Sequence, residues 1–365
     1  MKMNHQFSKK CWELLLLALL LGGTTTFVSC SNDDNPSAEK WELPDVEPRF
    51  LTAADRRENP SEAERAKYQG YGWRVEVKDG VEEIPYRLRS CSDAFDFDRA
   101  SSKELPDTSY VPSREGFDGL RMSGSARFSA GQLAYLADWL KQKAGNKPVF
   151  IVDLRSESHG IINGHHMAWF GLQNWANIGK TTEEVLHDEQ QQLNSIKGQT
   201  ILYGKIGSST NYVMADSTYA VVAQALTERE AVEAYGLRYR RFAALDHTFP
   251  TDAIIDDFLA FFRSLPKDSW LHFHCYAGQG RTTLFMGLTD MLCNPGVALK
   301  DILYRQCLIG GISMYNVGIG KPQWRQDLYT EIKQMMPVLY QYVRENRSNG
   351  YSVRWADWKK RRYKL

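Results

Sequence analysis

HCYAGQGRTT, residues 274–283, lies between an apolar run and a helical pattern. The residues leading into it, SWLHFHC (269–275), are apolar and aromatic and read as a buried strand. Those that follow, TTLFMGLTDML (282–292), carry apolar side chains at helical spacing. The ten residues are therefore a strand–loop–helix junction with Cys275 where the strand ends. In open α/β sheets ligands bind beyond the carboxyl ends of strands, which is where such a loop lies.

Outward from this junction, helices and strands alternate from about residue 126. SAGQLAYLADWLKQKAG (129–145) is an amphipathic helix stopped by Gly145, and PVFIVDL (148–154) a buried strand. TTEEVLHDEQQQLNSIKG (181–198) is a second helix with a capping start, and QTILYGKI (199–206) a strand. TEREAVEAYG (227–236), LRYRRFAAL (237–245) and TDAIIDDFLAFFRSLP (251–266) read as helix, strand and helix. ALKDILYRQCLIGG (298–311) and the run from Trp324 to about Asn346 complete a helical C-terminal part. Alternation of this kind predicts an α/β sheet with helices on both faces. Residues 46–125 read as irregular, with short strand-like runs such as WRVEV (73–77), and no internal repeat is present.

The 365 residues carry a net charge of +1, so nothing points to nucleic acid, and any charged site must be local. MKMNHQFSKK is a basic n-region and LLLLALLLGG an apolar h-region too short to span a membrane comfortably. FVSC ends it and resembles a bacterial lipobox, which implies cleavage before Cys30 and lipidation of its thiol; an ordinary signal peptide is the alternative. Residues 1–30 are then a leader, 31–45 a polar linker, and 46–365 the folded domain of an exported lipoprotein, periplasmic or anchored to the outer membrane. The membrane contact is through the lipid alone. Of the remaining cysteines, Cys293 and Cys307 lie in apolar helical contexts and are expected as buried free thiols, with no disulfide.

The loop can act as a phosphate cradle. Gly278 and Gly280 let backbone N–H groups turn inward, and the helix that follows adds its positive end. Tyr276, Ala277 and Gln279 complete the cradle. Arg281 has a planar fork suited to two phosphate oxygens. The same field favours the Cys275 thiolate, since a thiol so placed has its pKa lowered to about 3.5–7.5. Thr282 can hydrogen-bond the sulfur, and His274 is expected to brace the loop backbone. A thiolate that attacks a phosphate monoester needs an acid for the leaving alkoxide. Asp246 in LDHTFP (245–250) supplies one at a neighbouring strand end, with His247 beside it; capping of the helix near Thr251 is the other reading of Asp246.

HCYAGQGRTT and LDHTFP together resemble the cysteine phytases, the protein-tyrosine-phosphatase-like inositol polyphosphatases of bacteria. VDLRSESHGIINGHHMAWF (152–170), VPSREGFDGLRMSGSARFS (111–129), DILYRQCLIGG (301–311) and YVRENRSNGYSVRWADW (342–358) extend the resemblance over most of residues 80–360. It implies a tyrosine-phosphatase-like mixed sheet flanked by helices, with a small β-rich subdomain that residues 46–125 and 199–222 could build. It implies Cys275 as nucleophile, Arg281 as phosphate clamp and Asp246 as general acid, with no cofactor. His247 and Arg89 would contact the substrate, Glu157 would stand at the pocket edge, and Lys321 and Arg325 would meet peripheral phosphates. The chain departs from the pattern at Asn174, where relatives often carry Asp, in GKIGSSTNYV (204–213), and around Lys321, where it is shorter.

The expected activity is stepwise, metal-independent hydrolysis of inositol polyphosphates through a phosphocysteine. A protein-tyrosine or dual-specificity phosphatase and a non-catalytic phosphate-binding surface lipoprotein remain as alternatives. Arg155 and His159 read equally as structural, with Arg155 pairing a carboxylate under the sheet. Arg238, Arg240 and Arg241 read as a strand with alternating exposure. His165 and His166 hint at a metal, but no Cys, Asp or Glu stands near them at ligand spacing, so none is expected.

Overall fold

Two apolar runs, VFIVD and WLHFHC, flanked by the strands MSGSA and RYRR, become the parallel heart of a sheet. The computed structural model describes residues 43–99, 105–208 and 211–365, and the side chains of 206–215 are not among those described. The leader, Cys30 and most of the linker lie outside the described residues, as do the substitutions in GKIGSSTNYV as side chains. In chain order, α1 (Pro48–Leu51), α2 (Ala53–Glu58) and α3 (Glu62–Tyr68) precede β1 (Gly72–Val77), β2 (Arg89–Ser90) and β3 (Met122–Ala126). Next come α4 (Ala130–Ala144), β4 (Val149–Asp153), β5 (His159–Ile162), β6 (His165–Phe170) and α5 (Thr182–Ile196). Strands β7 (Thr200–Ser208), β8 (Asn211–Val221) and β9 (Ala225–Leu226) lead to α6 (Glu228–Glu233), β10 (Arg238–Arg241) and α7 (Asp252–Ser264). The chain finishes with β11 (Trp270–Cys275), α8 (Gly280–Cys293), α9 (Leu299–Leu308), α10 (Gln323–Asn346) and α11 (Trp355–Tyr363).

The main sheet has the order β10-β4-β11-β3-β2, parallel except for β2. Its central strand, β11, is buried at every position, as a strand covered on both faces must be. Helix α8 is buried from Arg281 to Leu292, which explains why its sequence is apolar all round rather than on one stripe. Capping boxes fix where α4 and α5 begin: Ser129 with Gln132, and Thr181 with Glu184. Thr251 caps α7 through a bond from Ile254 N, so Asp246 is released from that duty.

A second sheet of order β8-β7-β1-β6-β5-β9 forms the β-rich part. Its membership corrects the expected one. β2 and β3 join the main sheet, while β5 and β6 come from the HGIINGHHMAWF stretch. That hairpin turns on Asn163 and Gly164, at φ 48° and 84°. An Asn-Gly pair suits such a turn because both residues tolerate left-handed backbone. Residues 48–68, read as irregular, hold the three short helices α1, α2 and α3; Ser61 and Glu64 form a capping box that starts α3. Leu43–Leu365 make one compact unit. The topology gathers the ends of β4, β10 and β11 at one edge, and the loops that follow them build the site.

Candidate active site

Cys275 is the last residue of β11 and is 2% exposed. The chain then turns through residues 276–279 into α8, so the thiol stands at the mouth of a 14-residue helix. Gly278 makes the turn possible. Its φ is +67°, and an added Cβ would lie 2.6 Å from Ala126 N and from Ser125 C. Gly280 carries no such demand, so only one of the two loop glycines is required by conformation.

Arg281, in the first turn of α8, is held from behind. Nη1 and Nη2 donate to Glu157 Oε2 and Oε1 at 2.7 and 3.0 Å, and Nη1 also reaches Leu154 O and Ala244 O. Nη2 lies 3.2 Å from Asp246 Oδ1. Nε has no hydrogen-bond partner among the described residues. Burial works to raise the Glu157 pKa, but Arg281 and Arg155 outweigh it and hold the carboxyl below its ordinary value. The same contest at Asp246 is won by Arg281, His247 and the Asn174 amide, which keep that carboxyl well below the usual carboxylate range.

Asp246 sits on the loop after β10. Its Oδ2 accepts from Asn174 Nδ2 at 2.8 Å, its Oδ1 from His247 N at 3.1 Å, and its carbonyl from Trp175 Nε1 at 2.8 Å. His247 Nδ1 faces Arg325 Nη2 at 3.3 Å. Burial, with Arg325 and Arg281 adding to it, keeps His247 below its ordinary value against the pull of Asp246. Arg325 and Lys321 make no ion pair with a carboxylate among the described residues. From the second sheet, Arg74 is bound to Glu76 and lies 4.8 Å from the centroid of the Tyr276 ring, which Arg127 and Arg155 also approach at 4.1 and 5.9 Å. Arg74, Tyr276, His247, Lys321 and Arg325 line one cleft that also holds Cys275, Arg281 and Asp246.

Between the two sheets lies a buried network of charge. His274 Nε2 is 2.6 Å from Glu228 Oε1, whose other oxygen is 3.2 Å from His159 Nε2. Burial and Arg241 oppose a charge on His159, yet Asp153 and Glu189 prevail and raise it to about 9. Arg155 pairs with Glu76 at 2.9 Å, and Arg241 with Glu189 at 2.6 Å. The reading that no acidic group accompanies His166 is corrected: Glu76 and Glu228 face it at 3.4 and 3.7 Å. Donor atoms of His159, His166 and Glu228, and of Asp153, Glu228 and His274, lie within 4.8 Å of one another. Arg155 Nη1 is 3.3 Å from His166 Nε2 and Arg241 Nε is 3.3 Å from Asp153 Oδ2, so guanidinium cations already share these donors.

The structure brings Cys275, Tyr276, Ala277, Gln279, Gly280, Arg281, Asp246, His247, Lys321 and Arg325 to the cleft. It places four others differently from expectation. Arg89 does not line the cleft; it is buried on β2, with Nη1 donating to Arg87 O and Nη2 3.5 Å from Thr283 Oγ1. Glu157 is not at the pocket edge but buried behind Arg281. His274 turns its ring toward Glu228 and Phe128 rather than bracing the loop backbone. Cys293 is exposed at the end of α8, while Cys91, Cys275 and Cys307 are buried. Thr282 is buried, and its hydroxyl has no partner among the described residues. Arg74 was missed. Its signal is an Arg and a Glu two apart, Arg74 and Glu76, on one face of an otherwise apolar strand.

Residues 152–293, from β4 through α8, match the PTP-like phytase family model, described as inositol hexakisphosphate. The span includes Glu157, Asp246, Cys275 and Arg281. Among solved structures, the chain is similar to the PTP-like myo-inositol phosphatase from Mitsuokella multacida in complex with myo-inositol-(1,3,4,5)-tetrakisphosphate. That likeness has 39% identity and a TM-score of 0.74, over 86% of this chain and 52% of that one. It is also similar to a PTP-like phytase from Bdellovibrio bacteriovorus, with 28% identity and a TM-score of 0.61, over 80% of this chain and 96% of that one. A curated relative, effector protein hopD2 of Pseudomonas syringae pv. tomato, is 27% identical over 252 residues, 67% of this chain and 52% of the relative. The chain thus spans about half the length of the Mitsuokella protein and of hopD2.

Proposed function

The chain belongs to the PTP-like cysteine phytases, and from that premise we propose that it hydrolyses the phosphomonoesters of inositol polyphosphates one at a time, through a phosphocysteine. One observation carries the reading: a single cleft joins a thiol at a helix N-terminus, a pre-held arginine and an aspartate to two cations, Lys321 and Arg325, that no carboxylate pairs with among the described residues. Thiol, arginine and aspartate suffice for one phosphate. Lys321 and Arg325 offer more positive charge than one phosphate needs, which suits a substrate that carries several.

In the first step the Cys275 thiolate attacks phosphorus and the bond from phosphorus to the ester oxygen breaks. Protonated Asp246 gives its proton to the leaving alkoxide. In the second step water attacks the phosphocysteine, Asp246 takes a proton from that water, and the sulfur leaves as thiolate. Inorganic phosphate departs. Loop N–H groups, the end of α8 and Arg281 stabilise the equatorial charge in both steps. The lipobox-like leader supports export and anchorage through lipid on Cys30; replacing Cys30 by Ala should release the protein from membranes, and persistent membrane attachment would refute the anchor.

The test is phosphate release from inositol hexakisphosphate beside a phosphotyrosine peptide. Release from the inositol substrate, lost in Cys275→Ser with binding retained, is the expected result. Turnover of the peptide alone would refute the substrate class, and wild-type rates in Cys275→Ser would refute the covalent mechanism.

A further inference from the structure

The turn Gly171–Trp175 grips the catalytic aspartate twice. Asn174 N and Trp175 N donate to Gly171 O and Leu172 O, each at 3.0 Å, which closes the turn on itself. Gln173 and Asn174 both have left-handed backbone, at φ 58° and 63°. Asn accepts that conformation more readily than most residues. Its side chain gives Nδ2 to Asp246 Oδ2, and the next residue gives an indole N–H to the Asp246 carbonyl. The Trp175 ring is anchored in turn, 4.9 Å from the Tyr68 ring and packed in one cluster with Leu245. Asn174 is 8% exposed, and its Oδ1 has no partner among the described residues.

We propose that Asn174 is a positioning residue that holds Asp246 in both protonation states of the reaction, while Trp175 fixes the backbone beneath it. The proposal rests on the phosphomonoesterase reading above. As a carboxylate, Asp246 can only accept, and Asn174 Nδ2 donates to it. As an acid, Asp246 carries an O–H that must be satisfied until the ester bond breaks. A carboxamide rotated by half a turn presents Oδ1 as the acceptor. The proton then passes to the leaving alkoxide oxygen, and water returns one in the second step. An apolar side chain at position 174 would serve neither state, and a carboxylate would serve the ionised state only by taking up a proton itself.

The charged and titratable groups that face Asp246 are Arg281 from α8, His247 from its own loop and Glu157 from the loop after β4, while Arg325 from α10 meets His247 beside it. Asn174→Asp adds a second carboxylate at hydrogen-bond distance, and two carboxylates that share a proton hold it more tightly. The alkaline limb of kcat, which reports loss of the acid in the enzyme–substrate complex, should move up by about one pH unit. Asn174→Gly keeps the left-handed backbone and deletes the amide, so kcat should fall about tenfold with KM little changed. Trp175→Phe keeps the ring and deletes the N–H; it should lower kcat without moving either limb.

The measurement is a pH–rate profile of the full chain on inositol hexakisphosphate, with thermal melts to establish folding. An alkaline limb for Asn174→Asp that overlays the wild type overturns the inference, and so does full kcat in folded Asn174→Gly. A wild-type protein inert toward the substrate would instead overturn the functional reading on which the inference rests.

Discussion

Glu157→Gln tests whether the arginine clamp owes its place to a buried counter-charge. In the wild type the two Glu157 oxygens accept from Arg281 Nη1 and Nη2 at 2.7 and 3.0 Å, and both side chains are buried. Gln has the same shape, keeps one acceptor, and sets an N–H against the second guanidinium donor. Removal of one partner from a buried ion pair costs about 3–5 kcal/mol. Asp246, 3.2 Å from Nη2, remains as a second carboxylate, and the amide oxygen still accepts one bond. The lower end applies, about 3 kcal/mol. If that loss falls on the positioning of Arg281 in the transition state, kcat/KM drops by about two decades. The pH dependence has a fixed sign. Glu157 is depressed in the fold, so its contribution to stability is present above the unfolded value of about 4.3 and is lost as pH falls below it. Wild-type stability should therefore fall more steeply in acid than that of the variant. Initial rates on inositol hexakisphosphate, with urea unfolding at neutral and acid pH, read both effects. Unchanged kcat/KM together with an unchanged unfolding midpoint would refute the reasoning, because Arg281 would then be held by something other than Glu157.

Gly278→Ala forces a Cβ to within 2.6 Å of backbone atoms at Ser125 and Ala126, in left-handed backbone that costs about 1–2 kcal/mol for Ala. The loop must shift, so turnover should fall about a hundredfold while circular dichroism stays native. His159 is raised to about 9, so its share of stability is complete below about 6.5 and is lost as pH rises through 9, about 3 kcal/mol in all. The wild-type urea midpoint should fall across that window, and His159→Gln should flatten the slope. Lys321→Gln and Arg325→Gln should each raise KM for inositol hexakisphosphate about tenfold, yet leave an aryl monophosphate unaffected.

What the chain discloses before it folds follows the range of the interactions involved. Ser129 with Gln132, Thr181 with Glu184, and Gly145 announce helix ends because caps are local. HCYAGQGRTT announces the loop because thiol, turn and helix start are consecutive. The Asn163-Gly164 hairpin was equally local, but it lay in a stretch read for its histidines rather than for its alternation. Glu157 and Arg89 were misplaced for a different reason. Both are charged, and charge suggests exposure, but each is buried against a partner more than a hundred positions away: Arg281 for Glu157 and Thr283 for Arg89. Arg74 reaches the cleft from β1 only because β1 pairs with β6, and no spacing in the sequence encodes that pairing.

The two carboxylates on Arg281 cannot have the same role. Glu157 takes both forks from behind, buried, and is bound to the same guanidinium before and after any substrate enters. Asp246 holds only Nη2, from the cleft side. The guanidinium has five N–H donors. Those on Nη1 are taken by Glu157 and by carbonyls, one on Nη2 by Glu157, and Nε has no partner among the described residues. A phosphate that claims two donors on one edge therefore takes Nε and the Nη2 hydrogen that faces Asp246. The ion pair that does most to keep Asp246 ionised is broken by the substrate itself, and the negative charge that replaces it raises the proton affinity of the carboxyl further. The acid is thus made in the complex and not in the free protein. An Asp246→Asn variant should accordingly bind the phosphate at least as tightly as the wild type, since no carboxylate competes for Nη2, while it loses turnover on alkyl esters far more than on aryl esters. Binding weakened in that variant, measured calorimetrically with inorganic phosphate, would mean that Asp246 contributes to the phosphate site instead of competing for its arginine.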